Sequence, residues 1–352
     1  MSQEIAIVAF AQTPSYALYE ESEPSLIMQV VNEILTETKV NRYEIGFTIA
    51  GSSDYLSGSP FSFIANVDGY GAFPPVYESH VEMDGAWALW EAYVRLQCGD
   101  IDMALVVGSG KSSPGNPREI FPLQTDAYLQ APLGLDPDSI AGLQAMALIQ
   151  SGKATERDFA EVVARSRQAA RNNPYAQQLE ERSVDELLKA PCFTSPLRRH
   201  DRSPHADGAA AVLIARGEKA RQLCQNPIWI RGMDHRIDSH HLGFRDLTDS
   251  PSTRIAAKAL QLDAATLDVA ELCVTHSHEE IILKNALGLT SKTVVNPSGG
   301  PLAGDPVMAT GLIRVIEAAR SIRDKGAKRG LAHAASGPAL QQNLLCILEG
   351  GV

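Results

Sequence analysis

Short apolar runs bounded by turn-forming residues recur along this chain, each followed by a segment with helical spacing. That alternation limits it to the α/β architectures, with strands buried on both faces. Residues 5–10, 45–50 and 103–107 read as strands, and 25–35 and 85–97 as helices. Asp84 can cap the second helix and Gly99-Asp100 follows its end. A second series predicts strands at 228–233, 269–274, 293–296, 330–334 and 344–348, with helices at 252–260, 279–287 and 306–322. Each series closes on an apolar strand, 210–215 and 344–348, an echo that suggests a duplication. Between them, residues 110–205 are punctuated by prolines, yet 139–151 and 156–172 keep helical spacing. Such a stretch is too long and too patterned for a loop and reads as an inserted subdomain. The expected division is 1–109 plus 206–220, an insertion at 110–205, and 221–352.

Composition narrows the function classes. Of 352 residues, 44% are apolar and 21% charged, as in an ordinary globular protein. Lys and Arg total 31 against 42 Asp and Glu, a net charge of −11. That balance argues against a nucleic-acid or anionic-membrane surface. The first residues hold acidic Glu4 and no cationic start, so they do not read as a signal peptide. No stretch approaches the ~20 apolar residues of a membrane helix. A cytoplasmic, reducing compartment is the expectation. Cys98, Cys192, Cys224, Cys273 and Cys346 are scattered without C-x-x-C spacing, which suggests neither a disulfide framework nor a zinc site.

Two motifs mislead. Val106-Val107-Gly108-Ser109-Gly110-Lys111-Ser112 looks like a phosphate loop, but Leu105 stands where its first Gly is required. Pro114 and Pro117 also oppose the helix that would hold the phosphate. His276-Ser277-His278 offers two imidazoles with no third ligand nearby, and His240-His241 does no better. Both pairs read as hydrogen-bonded or surface histidines rather than a metal site.

Asn296-Pro297-Ser298-Gly299-Gly300-Pro301-Leu302-Ala303-Gly304-Asp305-Pro306, with Gly311 beyond, strongly resembles the C-terminal signature of thiolases: N-x-x-G-G, small residues, G-H-P and a helix. Asp84-Gly85-Ala86-Trp87-Ala88 resembles the start of that family's nucleophile helix. Glu271-Leu272 through Leu287-Gly288 resembles the strand and helix carrying the H-D-C-F motif of the sterol-carrier-protein type. Gly330-Leu331-Ala332-His333 through Ser336-Gly337-Pro338 resembles its C-terminal glycine-rich stretch. The resemblance implies an α/β thiolase fold: two duplicated βαβαβαββ halves in a five-layered α-β-α-β-α core, with 110–205 as the loop domain. More narrowly, Gly51-Ser52-Ser53-Asp54-Tyr55, Glu78-Ser79-His80-Val81-Glu82-Met83-Asp84 and Ser195-Pro196-Leu197-Arg198-Arg199-His200-Asp201 are similar to one bacterial group. These are thiolase-like "lipid transfer protein" chains associated with steroid side-chain breakdown. Some are retro-aldolases that work with a small OB-fold partner.

The departures from the pattern bear on the chemistry. Glu82 falls where the family has its nucleophilic cysteine, Cys273 at the histidine of H-D-C-F, Asp305 at the histidine of G-H-P, and Ala335 at the second cysteine. A carboxylate cannot do a thiolate's work as nucleophile and leaving group for an acyl chain, so thiolysis through an acyl-cysteine is not expected. Retro-aldol cleavage of a β-hydroxyacyl-CoA needs only a base for the β-hydroxyl and donors for the enolate oxygen. The candidate catalytic groups are Glu82, His276, Asp305 and His333. Burial and the helix N-terminus would move the Glu82 pKa in opposite directions. Tyr55 and His80 are candidates for hydroxyl contacts, and the backbone N–H groups of Ser336 and Gly337 for the thioester carbonyl. Arg198 and Arg199 are the nearest cations for CoA phosphates, with Arg165, Arg167 and Arg171 as alternatives.

Plainer roles stay open beside these. Glu82 and Asp305 can cap helices, His333 can be a core histidine, and His276 can meet a subunit interface. The leading reading is an acyl-CoA carbon–carbon lyase. The alternatives are a degenerate subunit that scaffolds an active thiolase-like partner, and an ordinary acetyl-CoA acyltransferase. CoA enters as part of the substrate, with no separate cofactor or metal. The resemblance also implies a homo- or heterodimer with another thiolase-like chain.

Overall fold

The computed structural model describes residues 4–58, 60–71 and 77–351. In the first half, strands β1 (Ile5–Gln12), β2 (Phe47–Gly51), β3 (Tyr77–Val81), β4 (Met103–Lys111) and β5 (His205–Arg216) come with helices α1 (Glu23–Thr38), α2 (Phe63–Tyr70) and α3 (Gly85–Cys98). The segment between β4 and β5 carries α4 (Pro137–Gln150) and α5 (Glu156–Ala170). The second half has β6 (Ile228–Ile237), α6 (Pro251–Ala259), β7 (Val269–Leu272), α7 (Glu279–Leu287), β8 (Val294–Val295), α8 (Thr310–Lys325), β9 (Arg329–Ser336) and β10 (Gln342–Gly350).

The duplication is written in the strand order. The first half runs β3-β2-β4-β5-β1 across the sheet, and the second runs β8-β7-β9-β10-β6. The senses match too. In each half the second strand is parallel to the third and fourth, and the fifth is antiparallel to the first and fourth. β1 and β6 pair antiparallel, Ile5 opposite Ile230 and Ile7 opposite Ile228, which joins the halves into one sheet.

Packing follows from strands that are apolar on both faces. Between the half-sheets lie Ala86, Leu89 and Ala92 of α3 and Leu312, Ile316 and Ala319 of α8. They pack on Ile7, Val106 and Val212 on one side and Ala332, Leu344 and Leu348 on the other. On the outer face of the first half-sheet, Leu26, Ile27 and Ile34 of α1 cover Ala6, Leu105 and Leu213. On the outer face of the second, Ala256 of α6 and Ile282 and Leu283 of α7 cover Ala270, Leu331 and Leu345. The layers are therefore α-β-α-β-α, as the resemblance implies.

The two central helices start at one carboxylate. Asp84 Oδ1 accepts the N–H of Ala86 at 2.8 Å and of Leu312 at 3.1 Å, and Oδ2 accepts that of Gly311 at 2.8 Å. Side-chain bulk is excluded here: a Cβ on Gly85 would lie 2.8 Å from the Gly108 Cα. One expectation is corrected and one strand is added. The helix predicted from residue 306 begins at Thr310, because Asp305 and Pro306 are extended to pair with His205 and Ala206. Strand β3 was not expected, because Tyr77–Val81 is only partly buried and carries no apolar run.

Candidate active site

The turn into α3, the turn into α7, the turn into α8 and the end of β9 converge on a cavity of about 660 Å³. The segment between β4 and β5 closes its remaining side. Glu82, Cys273, Asp305 and Ala335, the four positions singled out by the departures, all line it. The glycine-rich turn that delivers Asp305 is tightly built. Asn296 Oδ1 accepts the Leu272 N–H at 2.6 Å, and a Cβ on Gly300, at φ 63°, would lie 2.8 Å from the Asn296 amide nitrogen. Beside it, Arg314 pairs with fully buried Glu271 at 2.6 Å, and Ser298 bonds both partners.

The cavity wall holds several carboxylates. Glu82 Oε1 accepts the Asp54 N–H at 2.6 Å; burial raises its pKa, opposed by that bond. Asp305 is fixed from both sides, accepting from Ser203 Oγ at 2.7 Å and Thr310 Oγ1 at 2.6 Å. The imidazole of His205 lies 3.8 Å away, its pKa lowered by burial against the pull of Asp305. The Cys273 thiol is pushed well up by burial and by Asp305 and Asp84 beside it, so it stays protonated.

A second cluster surrounds buried Asp138, which α4 delivers. His276 Nε2 lies 3.1 Å from its Oδ1, and Arg202 and Arg118 reach its Oδ2 at 2.9 and 3.3 Å. Burial alone would raise the Asp138 pKa. The hydrogen bond and charge of His276, together with Arg202, hold it below the usual carboxylate range instead. On the other side of the ring, Nδ1 lies 3.2 Å from Thr275 Oγ1. Glu279 Oε2 accepts the backbone N–H groups of Thr275 and His276 at 2.8 and 3.0 Å and fixes this turn. Burial raises the Glu279 pKa, opposed by His276. Asp138, Thr275, His276, Glu279 and Arg202 all line the same cavity.

No family model matches the chain. The acetyl-CoA acetyltransferase of Methanothermobacter thermautotrophicus is 24% identical across 93% of each chain. Sterol carrier protein 2 of Oryctolagus cuniculus is 26% identical across 74% of this chain and 54% of its own length. The structure of human mitochondrial 3-ketoacyl-CoA thiolase matches with a TM-score of 0.80 and 17% identity over 99% of both chains. That of the Ltp2-ChsH2(DUF35) aldolase matches with a TM-score of 0.80 and 18% identity over 97% of both. This chain has the thiolase fold.

Within the thiolase fold, the predicted site residues divide. Glu82, His276, Asp305, Ser336 and Gly337 line the cavity; Tyr55, His80, Arg198, Arg199 and His333 are not among its lining residues. His333 is fully buried on β9, its Nε2 2.8 Å from Asn343 Oδ1, and burial lowers its pKa to about 4. It is a neutral core histidine. Arg198 is buried as well, donating to the carbonyls of Leu188 and Ala190 at 3.0 Å each and pairing with Glu156 at 2.7 Å, so its fork is committed to the chain around it. Arg199 is exposed. Arg165 pairs with buried Glu280, and Arg167 donates to the Glu180 carbonyl. His80 Nε2 lies 2.9 Å from Ser52 Oγ and its ring stacks on Phe63 at 4.5 Å. Tyr55 is exposed.

Sequence reasoning missed Asp138, Thr275 and Glu279. Thr275 and Glu279 flank His276, and that adjacency was the available signal. Asp138 comes from another element, and nothing in the sequence ties it to the site. Among the described residues, no group of three or more His, Cys, Asp or Glu is placed to hold a metal ion, and no helix is long and apolar enough to cross a membrane.

Proposed function

We propose that this chain is an acyl-CoA carbon–carbon lyase that cleaves a β-hydroxyacyl-CoA by a retro-aldol reaction, with a steroid or similar side chain as the acyl part. The observation that carries the reading is the exchange of chemistry inside one cavity. Glu82 and Ala335, which the resemblance puts at the cysteine positions, line it and the Cys273 thiol is held protonated, while His276 stands on Asp138 in the same wall. That set suits proton transfer and lacks an activated sulfur nucleophile. In this reading His276 is the base for the β-hydroxyl group, Glu82 supplies a second proton-transfer group, and the Ser336 and Gly337 N–H groups stabilise the thioester enolate oxygen. Asp305 and His333 act structurally, through Ser203 and Thr310 and through Asn343 respectively.

Two similar proteins support parts of this reading. One is the Ltp2-ChsH2(DUF35) aldolase; the other is human mitochondrial 3-ketoacyl-CoA thiolase, solved in complex with CoA. From the sequence resemblance we further propose that the chain works as a dimer with itself or another thiolase-like chain, alongside a small OB-fold partner, with residues 110–205 as the loop domain. The experiment is to give the purified chain, alone and with its partner, a β-hydroxyacyl-CoA. An aldehyde or ketone plus a shortened acyl-CoA, lost in His276→Ala, supports the lyase. Cleavage by a complex that is indifferent to His276→Ala and Glu82→Gln here would make this chain a scaffold.

A further inference from the structure

The contacts of His276 define a chain of three groups. Asp138, held ionised, can only accept hydrogen bonds, so the His276 nitrogen facing it at 3.1 Å must carry a hydrogen. That places the proton on Nε2 of the neutral ring and leaves Nδ1 with a free lone pair. Nδ1 faces Thr275 Oγ1 at 3.2 Å. His276 as a residue is 8% exposed, whereas Thr275 is partly open. Both residues line the cavity, and the threonine is the more accessible of the two to a substrate hydroxyl. The Thr275 hydroxyl also reaches the Glu279 carboxylate, Oε2 at 3.2 Å and Oε1 at 3.4 Å; Oε2 already takes two backbone N–H groups, and Oε1 lies 3.9 Å from His276 Nδ1.

The geometry points to a proton relay from Thr275 through His276 to Asp138, with Thr275 the residue that touches the substrate and Asp138 the positioning residue. This rests on the lyase reading and names the atoms that carry it out. As the β-hydroxyl hydrogen passes to Thr275 Oγ1, the threonine hydrogen passes to His276 Nδ1, and the imidazolium is held between Thr275 and the Asp138 carboxylate. The electron pair of the substrate O–H bond becomes the second bond of a carbonyl at Cβ. The Cα–Cβ bond breaks, and its pair goes to the thioester as an enolate. The stored proton returns to Cα, directly or through water, so protons balance over the cycle. The same logic sets the base in Ser-His-Asp enzymes, where a carboxylate fixes the tautomer of the ring. Here no acyl-enzyme is required.

Two measurements test this, and they fail separately from the lyase reading. Nitrogen-15 spectra of histidine-labelled protein at alkaline pH, with the His276 signals assigned by their loss in His276→Gln, are expected to show hydrogen on Nε2 and a bare Nδ1. The opposite tautomer overturns the relay whatever the chain catalyses. In the cleavage assay, Thr275→Val is expected to lower kcat roughly 10- to 100-fold with KM little changed, and Thr275→Ser to restore most of it. Asp138→Asn should cost roughly 10²- to 10³-fold, with partial rescue in Asp138→Glu. Thr275→Val with wild-type kcat overturns the relay and leaves the lyase standing; a wild-type chain and complex that release no carbonyl product overturn the lyase reading itself.

Discussion

Asp84 Oδ2 accepts the backbone N–H of Gly311 at 2.8 Å, so a carboxylate that caps the central helix of one half also binds the first turn of its counterpart in the other. The duplicated halves therefore share a buried carboxyl group in the wall of the cavity. Burial raises its pKa to about 6, against the opposing pull of the three N–H groups.

Removing that acceptor should be costly. Asp84→Ala leaves three buried N–H groups without a partner and is expected to lower stability by about 2–4 kcal/mol, read as a lower urea midpoint at unchanged m. Asp84→Asn, which keeps one acceptor oxygen, should lose less.

The pH dependence of stability has two opposing buried contributors. Asp84 has a folded pKa above its unfolded value, so its stabilising contribution is present at low pH and is lost as pH rises through about 6. His333 has a folded pKa of about 4, below its ordinary 6.5, so its contribution is present above 6.5 and is lost as pH falls toward 4. The slopes oppose over the shared window. Urea unfolding from pH 4 to 6.5 should show stability rising more steeply with pH in Asp84→Asn than in wild type. In His333→Gln the rise should be smaller, by about 2–3 kcal/mol over the window.

The cysteines should show whether thiolase chemistry operates in this cavity. Cys98 and Cys192 are exposed, whereas Cys273 is buried with its thiol pushed up. Iodoacetamide is expected to modify the first two in the native protein and to spare Cys273, with cleavage activity retained. Fast alkylation of Cys273 with loss of activity would contradict the assignment.

Both halves of the α/β alternation were legible because buried strands and amphipathic helices leave apolar runs of distinct period. β3 was not, because Tyr77–Val81 pairs at a sheet edge and needs no apolar run to do so. Glu82 and Asp305 could be placed at the site because they sit inside matched motifs with fixed spacing. Asp138 could not: it lies 138 residues from His276, and a contact across that distance is made by folding α4 against the turn into α7. His333 and Arg198 look like chemistry as letters. Burial, and partners such as Asn343 and Glu156, tie both into the surrounding chain and away from the cavity lining.

His276 and Glu82 should differ in how much they matter. His276→Ala removes the base and is expected to lower kcat about 10²- to 10⁴-fold. Glu82→Gln keeps an acceptor for the Asp54 N–H and should lose less, with the comparison made on kcat at saturating substrate.

The most direct measurement offers the chain, with its partner present, equal concentrations of a 3-hydroxyacyl-CoA and the matching 3-ketoacyl-CoA plus free CoA, and follows both products. Carbonyl release from the hydroxyacyl-CoA and no thiolysis of the ketoacyl-CoA are expected. Thiolysis of the ketoacyl-CoA, with the hydroxyacyl-CoA left intact, would contradict the lyase reading.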